Sequence, residues 1–301
     1  MTDAAPELCR RRHAYRPDLA DQRLEGRVTA TRFVAGTLMQ VRGPAVPLRK
    51  APDAKLGLEN EVLLGETVTV FDEADGWAWC QLARDGYVGY LPAPALSAEI
   101  MPATHRVKAP GTFIYPQPDI KRPPLAHLSL NAILNVTAAD QHFVTLATGG
   151  FVYARHVSPI DAYAREFVEV AESLIQTPYL WGGRTRVGLD CSGLVQLAME
   201  AAGLTCPRDS DMAAAEVGEA VAVPADLDCL QRGDLVYWPG HCGIMIDSVM
   251  LLHANGHHMS TVIEPLSQAV RRIRKSGGGA SASGTGIATI KRPTALGAAP
   301  A

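Results

Sequence analysis

The chain has no Cys-x-x-Cys pair. Its six cysteines, Cys9, Cys80, Cys191, Cys206, Cys229 and Cys242, are scattered through 301 residues, which argues against a thiolate zinc site and a disulfide framework. Long apolar runs are missing too, since no stretch reaches the roughly 18 residues that a spanning helix needs. No membrane partner is therefore expected. Basic excess is also absent: 28 Lys and Arg against 31 Asp and Glu give a net charge of -3 and a sequence pI near 6.3, so no nucleic-acid surface is implied. The opening "MTDAAPELCRRRHAYRPDLADQ" mixes acids and arginines without an apolar centre and does not read as a secretory signal. Together with the scattered thiols this leads to an expected location in a reducing cytoplasm. What is present, 47% hydrophobic and 20% charged residues with a mean hydropathy of +0.03, is ordinary globular composition with room for two or three domains.

Two segments resemble each other. "GETVTVFDEADGWAWCQLARDGYVGYL", Gly65 to Leu91, and "LNAILNVTAADQHFVTLATGGFVYARHV", Leu130 to Val157, align at an offset of 64 that matches Gly86-Tyr87-Val88 to Gly150-Phe151-Val152, and "LRKAPDAK" aligns with "IYPQPDIK" at an offset of 66. Each reads as short alternating strands punctuated by Asp-Gly, Gly-Gly and Pro. Two small β-barrels in tandem are expected, over 29–97 and 104–159, after an N-terminal extension over 1–28. Trp77 and Trp79 are expected to fill the first barrel.

From Asp161 the period changes. "DAYAREFVEVAESLIQTPY" carries Phe167, Val170, Ala171, Leu174 and Ile175 on one face, an amphipathic helix ended by Pro178. A second helix starts in "GLDCSGLVQLAMEAAG", with Asp190 as N-cap and Leu194, Leu197, Ala198 and Ala201 as its apolar stripe. The runs "RGDLVYWPG", "HCGIMI" and "MLLHA" read as strands, "PLSQAVRRIRK" as a late helix, "SGGGASASG" as a polar turn and "TGIATIKRP" as a closing strand. Helices preceding strands predict an α+β domain over 161–293, with helices packed on an antiparallel sheet, and a loose tail over 294–301.

Cys191 stands where that second helix begins. Unsatisfied N–H groups and the helix dipole there favour a thiolate, although a cysteine taken alone is more often buried filling. A nucleophile needs a base and an orienter. His241 and His253, twelve residues apart on strand-like runs, could lie on one face beside the start of the Cys191 helix. Cys242 would point to the opposite strand face as core filling. A zinc site from His241, His253 and His257 is the rival, weakened by the Asn-Gly turn signal between the last two and by the lack of an intervening glutamate. A pure binding module is a further alternative.

"TPYLWGGRTRVGLDCSGLVQ", "RGDLVYWPGHCGIMI" and "LLHANGHH" together resemble NlpC-type cell-wall cysteine peptidases, papain-like hydrolases of peptidoglycan peptides. The β units, with "GE" and "DGYVGYL", resemble bacterial SH3-like domains. The resemblance implies Cys191 as nucleophile, His241 as general base and acid, His253 as orienter, no cofactor and no metal. With Ser192 and "CPRDS" the chain is similar to γ-D-glutamyl-L-diamino acid endopeptidases, which act on peptidoglycan-derived peptides with a free N-terminal L-Ala. That likeness implies Tyr179, Ser192, Asp209 and Ser210 as substrate contacts, with Asp209 neutralising the substrate ammonium. A tyrosine and an acid from the first SH3-like domain, Tyr87 and Glu59 with Glu61 nearly equal to it, would close the groove. Without the likeness, Asp209 would read as a turn cap with Ser210. Arg184 and Arg186 depart from the family pattern and read as solvated loop charges, with a substrate carboxylate as the other option.

Overall fold

The computed structural model describes residues 8–223, 227, 229–275 and 285–294. The polar turn expected over 276–284 lies outside these residues, as does the tail beyond Thr294.

In Thr67–Ala74 the alternation of Val68 and Val70 inward with threonines outward sets a strand of period two. Asp75 and Gly76, at φ 52° and 78°, turn it back onto Trp77–Leu82 as a tight hairpin. The resulting five-stranded antiparallel sheet runs in the order Val88–Pro92, Trp77–Leu82, Thr67–Ala74, Thr37–Val41, Leu96–Ser97. The hairpin Ala45–Leu48 with Asn60–Leu63 packs beside it around Val41, Leu48, Val62 and Leu91. The N-terminal segment is built into this unit rather than trailing from it. Leu19–Asp21 pairs in parallel with Arg32–Val34, and Ala14 and Leu19 cover Phe71 and Trp79.

The same strand plan recurs over 105–159. Gly111–Ile114 pairs with Ala126–Ser129, and Val136–Ala139, Phe143–Leu146 and Phe151–Tyr153 form a meander, around a separate core of Val107, Leu128, Val144 and Val152.

The last region is a six-stranded antiparallel sheet in the order Glu219–Val221, Thr289–Arg292, Leu235–Trp238, His241–Met245, Met250–Asn255, Ser260–Pro265. Helix α1, Phe167–Glu172, and α2, Cys191–Ala201, pack on one face with Leu235, Tyr237, Cys242, Ile244 and Leu252. Helix α3, Ser210–Glu216, follows α2. Helix α4, Leu266–Lys275, covers the other face with Val236, Trp238, Met245 and Leu251. The predicted stripe of α2 is wholly buried, and Leu194 and Leu197 each stabilise by about 1.5–3 kcal/mol. Helix α1 is shorter than its periodicity predicts. Gln176 takes φ 66° and its N–H donates to the Thr261 carbonyl, so pairing with the last hairpin strand overrides helix propensity. Among the described residues no helix is long and apolar enough to cross a membrane.

Buried ion pairs lock the first β unit to this domain. Arg184 is fully buried and donates to Glu66 at 2.9 Å and to Glu200 at 2.7 Å. The solvated charge expected of Arg184 is therefore wrong: the loop is roofed by the first β unit, whose Glu66 carboxylate together with Glu200 of α2 offsets the cost of desolvating it. Arg186, half-buried, donates to the Thr177 hydroxyl.

Candidate active site

Asp190 fixes the start of α2. Its Oδ1 accepts from Gly193 N at 2.6 Å and its Oδ2 from Gly182 N at 2.9 Å. Both oxygens also accept from Arg208, at 3.0 and 2.7 Å. A Cβ on Gly193 would lie 2.3 Å from the Gly183 carbonyl oxygen, so only glycine lets this first turn sit against the preceding loop. Cys191 opens the helix, and its N–H has no intrahelical acceptor.

Two groups meet the Cys191 sulfur. The neighbouring Cys242 thiol and His241, in that order of effect, hold the Cys191 thiol well below its ordinary range against the opposing effect of burial. The Cys242 thiol is correspondingly pushed well up, by the neighbouring Cys191 charge and by burial. Cys242 does occupy the core, 1% exposed on the α2 face. It is more than filling, because its thiol is the neighbour that does most to lower Cys191.

His241 and His253 share the other face of the sheet, that of α4, where His241 stacks on Trp238 with centroids 5.6 Å apart. The thiol therefore meets the histidine at the open end of the His241–Met245 strand rather than over its face. His241 Nε2 lies 2.9 Å from His253 Nδ1, and His253 Nε2 lies 2.8 Å from Glu264 Oε1. A carboxylate only accepts, so His253 donates from Nε2 and its Nδ1 accepts from His241 Nε2–H. That leaves the Nδ1 lone pair of His241 for the Cys191 proton. Burial drives His253 down to about 4, against the effect of Glu264, so it is neutral at pH 7. Burial works against Glu264 as an anion, but hydrogen bonds from His253 and from Arg272 of α4 hold it well below the usual carboxylate range. Glu264 and Arg272 carry no motif in the sequence. The register His253↔Val262 places Glu264 diagonally from His253, a relation legible only once Ser260–Pro265 is seen as a strand.

The other predicted residues divide. Tyr179 lies half-buried next to the thiol, its phenol pushed up by burial and by the charge on Cys191. Ser192 is buried, accepting from Arg208 at 2.9 Å and donating to Asp190 at 3.3 Å, so its hydroxyl serves the helix cap. Asp209 is the N-cap of α3, but its side chain makes no capping hydrogen bond. It accepts instead from Tyr87 at 3.1 Å and from Arg11 at 2.7 Å, which corrects the turn-cap alternative. Ser210 opens α3, half-buried, with no side-chain hydrogen bond to the rest of this cluster among the described residues. Of the two acids considered, Glu59 lines the recess beside Tyr87 and its charge reaches that phenol, whereas Glu61 accepts from Arg184 N at 2.8 Å. Arg208, fully buried, also donates to Asn60 at 2.9 Å and so links the catalytic helix to the first β unit. Neither Arg11 nor Arg208 was expected at the site. His257 lies in the exposed turn after Asn255, its ring 4.7 Å from His258. Among the described residues no group of three His, Cys, Asp or Glu is placed to hold a metal ion.

Residues 48–96 match the bacterial dipeptidyl-peptidase Sh3 domain and residues 176–275 match the NlpC/P60 family. Dipeptidyl-peptidase 6 of Lysinibacillus sphaericus is 28% identical over 68% of this chain and 82% of its own. A gamma-D-glutamyl-L-lysine dipeptidyl-peptidase of Bacillus cereus is 25% identical over 70% and 71%. A crystal structure of an NlpC/P60 family protein from Bacillus cereus superposes with a TM-score of 0.67 at 21% identity, over 85% of this chain and 99% of that one, which shows a common fold. The chain is thus a cysteine peptidase of the NlpC/P60 family that carries an N-terminal SH3-like domain.

Proposed function

We propose that the chain hydrolyses the bond between γ-D-Glu and the diamino acid in peptidoglycan stem peptides whose N-terminal L-Ala is free. The observation that carries this is the junction of two parts: a thiol–imidazole centre at Cys191 and, across two domains, an end where Asp209 meets Tyr87 with the Glu59 charge near the same phenol. The names of the relatives in Lysinibacillus and Bacillus support the bond and substrate class.

His241 Nδ1 takes the Cys191 proton, and the thiolate attacks the γ-carbonyl carbon. The Cys191 N–H stabilises the oxyanion. His241 then donates the proton to the departing amine, and a water activated by the same nitrogen releases the dipeptide from the acyl-enzyme. Asp209 neutralises the substrate ammonium. A free L-Ala amine exists only after the peptide has been cut from its sugar, so the reaction falls downstream of an amidase, in murein recycling, and we place it in the cytoplasm.

The test compares L-Ala-γ-D-Glu-diaminopimelate with its N-acetyl form. The blocked peptide should lose at least about a hundredfold in kcat/KM, since acylation removes the cation that Asp209 would bind and adds bulk at the closed end of the groove, and each 1.36 kcal/mol is tenfold. Equal rates would mean an open groove and a general wall endopeptidase.

A further inference from the structure

We infer that Arg11, from the segment before the first β unit, is a specificity-determining residue that forms the outer wall of the amine end of the groove. The inference rests on the proposed preference for a free amine and adds to it a residue that neither domain match covers.

Arg11 bridges two carboxylates of α3 and its cap. Its guanidinium donates to Asp209 Oδ2 at 2.7 Å and to Asp211 at 3.0 and 2.6 Å. The backbone behind it is held on the other side, because the Arg11 carbonyl accepts from Val88 N at 2.8 Å and the Arg12 carbonyl accepts from Gln81 Nε2 at 2.7 Å. Arg12 reaches Glu216 at the far end of α3. The turn at Cys9–His13 therefore spans from the SH3-like unit to α3, across the point where Tyr87 meets Asp209. On the SH3-like side of this strap is a recess of about 280 Å³ whose charged lining is Arg10, Arg11, Arg16, Lys50 and Glu59.

An ammonium that reaches Asp209 from the Cys191 side uses the oxygen that Arg11 leaves less engaged, Oδ1, which Tyr87 approaches only at 3.4 Å. Anything attached to that nitrogen runs next into the guanidinium. Arg11 thus opposes an acylated peptide by bulk and opposes the free amine only by charge. The charge effect is screened from one side: the Arg11 side chain is 43% exposed against 22% for Asp209, the carboxylate the two cations would share, and a solvent-reached pair is worth about fivefold in binding. The steric effect carries most of the discrimination.

The experiment measures kcat and KM of Arg11→Ala, Arg11→Lys and wild type on L-Ala-γ-D-Glu-L-Lys and its N-acetyl form, with the iodoacetamide reactivity of Cys191 and the thermal midpoint as checks on the centre and the fold. Arg11→Gln replaces the alanine variant if that fails to fold. In wild type the free-to-acetyl ratio of kcat/KM reports on the proposed function, and a ratio near one refutes that reading before any variant is made. Given a ratio of about a hundred or more, Arg11→Ala should reduce it at least about tenfold by lowering KM for the acetylated peptide, with Arg11→Lys between the two. An unchanged ratio, or an improvement confined to the free-amine peptide, would overturn the assignment of Arg11 as the wall.

Discussion

Replacing Glu264 by Gln tests the proton chain with almost no change of shape. Glu264 touches neither substrate nor thiol; it holds His253, which holds His241. An amide can donate as well as accept, so His253 is free to take the other tautomer and donate from Nδ1. His241 must then present Nε2 as acceptor and carry its proton on Nδ1, where the Cys191 proton has to go. The same substitution removes the Glu264 charge to which Arg272 donates. A hydrogen bond to a charged group is worth about 1.5–3 kcal/mol, and at 1.36 kcal/mol per decade this is a loss of about tenfold to a hundredfold. The loss should fall on kcat with KM nearly constant, because the contact is remote from bound peptide. Steady-state kinetics on L-Ala-γ-D-Glu-L-Lys, with circular dichroism to show a folded variant, reads both. A folded Glu264→Gln enzyme within twofold of wild-type kcat would refute the tautomer argument.

Two further predictions concern protons and thiols. His253 is depressed to about 4 in the fold from an unfolded value near 6.5, so between those values the unfolded chain binds the extra proton and stability falls as pH drops, by at most on the order of 3 kcal/mol. Thermal midpoints from pH 7 to pH 4 should decline less in His253→Asn than in wild type, and parallel curves would remove His253 from the account. Cys242→Val removes the thiol that most lowers Cys191 at similar volume, and should move the pH dependence of iodoacetamide alkylation at Cys191 upward. An unmoved profile would show that His241 alone sets the thiolate.

The parts of the molecule that were legible in sequence are those with local periodicity or local chemistry. The offset of 66 between "LRKAPDAK" and "IYPQPDIK" reappears as two hairpins, Ala45–Leu48 with Asn60–Leu63 and Gly111–Ile114 with Ala126–Ser129. Asp190 before Cys191 gave the helix start because an N-cap acts within three residues. What escaped depends on contacts far apart in the chain. Arg184 looked exposed because the carboxylates of Glu66 and Glu200 that bury it lie 118 and 16 residues away. Glu264 precedes Pro265 in a stretch without alternation that would name a strand, and its pairing with His253 emerges from the hairpin register. Arg11 stands in a polar N-terminal segment whose only signal was charge, 198 residues from Asp209.

The central claim is that Cys191 performs covalent hydrolysis of the γ-D-glutamyl bond. Mass spectrometry of L-Ala-γ-D-Glu-L-Lys and of its diaminopimelate counterpart, incubated with wild type and with Cys191→Ala, tests it most directly. The account predicts release of the L-Ala-γ-D-Glu dipeptide by wild type and a loss of nearly all turnover in Cys191→Ala, because the thiolate and imidazole act as a unit. Dipeptide release at the wild-type rate by Cys191→Ala, or intact tripeptides after incubation with folded wild type, would contradict it.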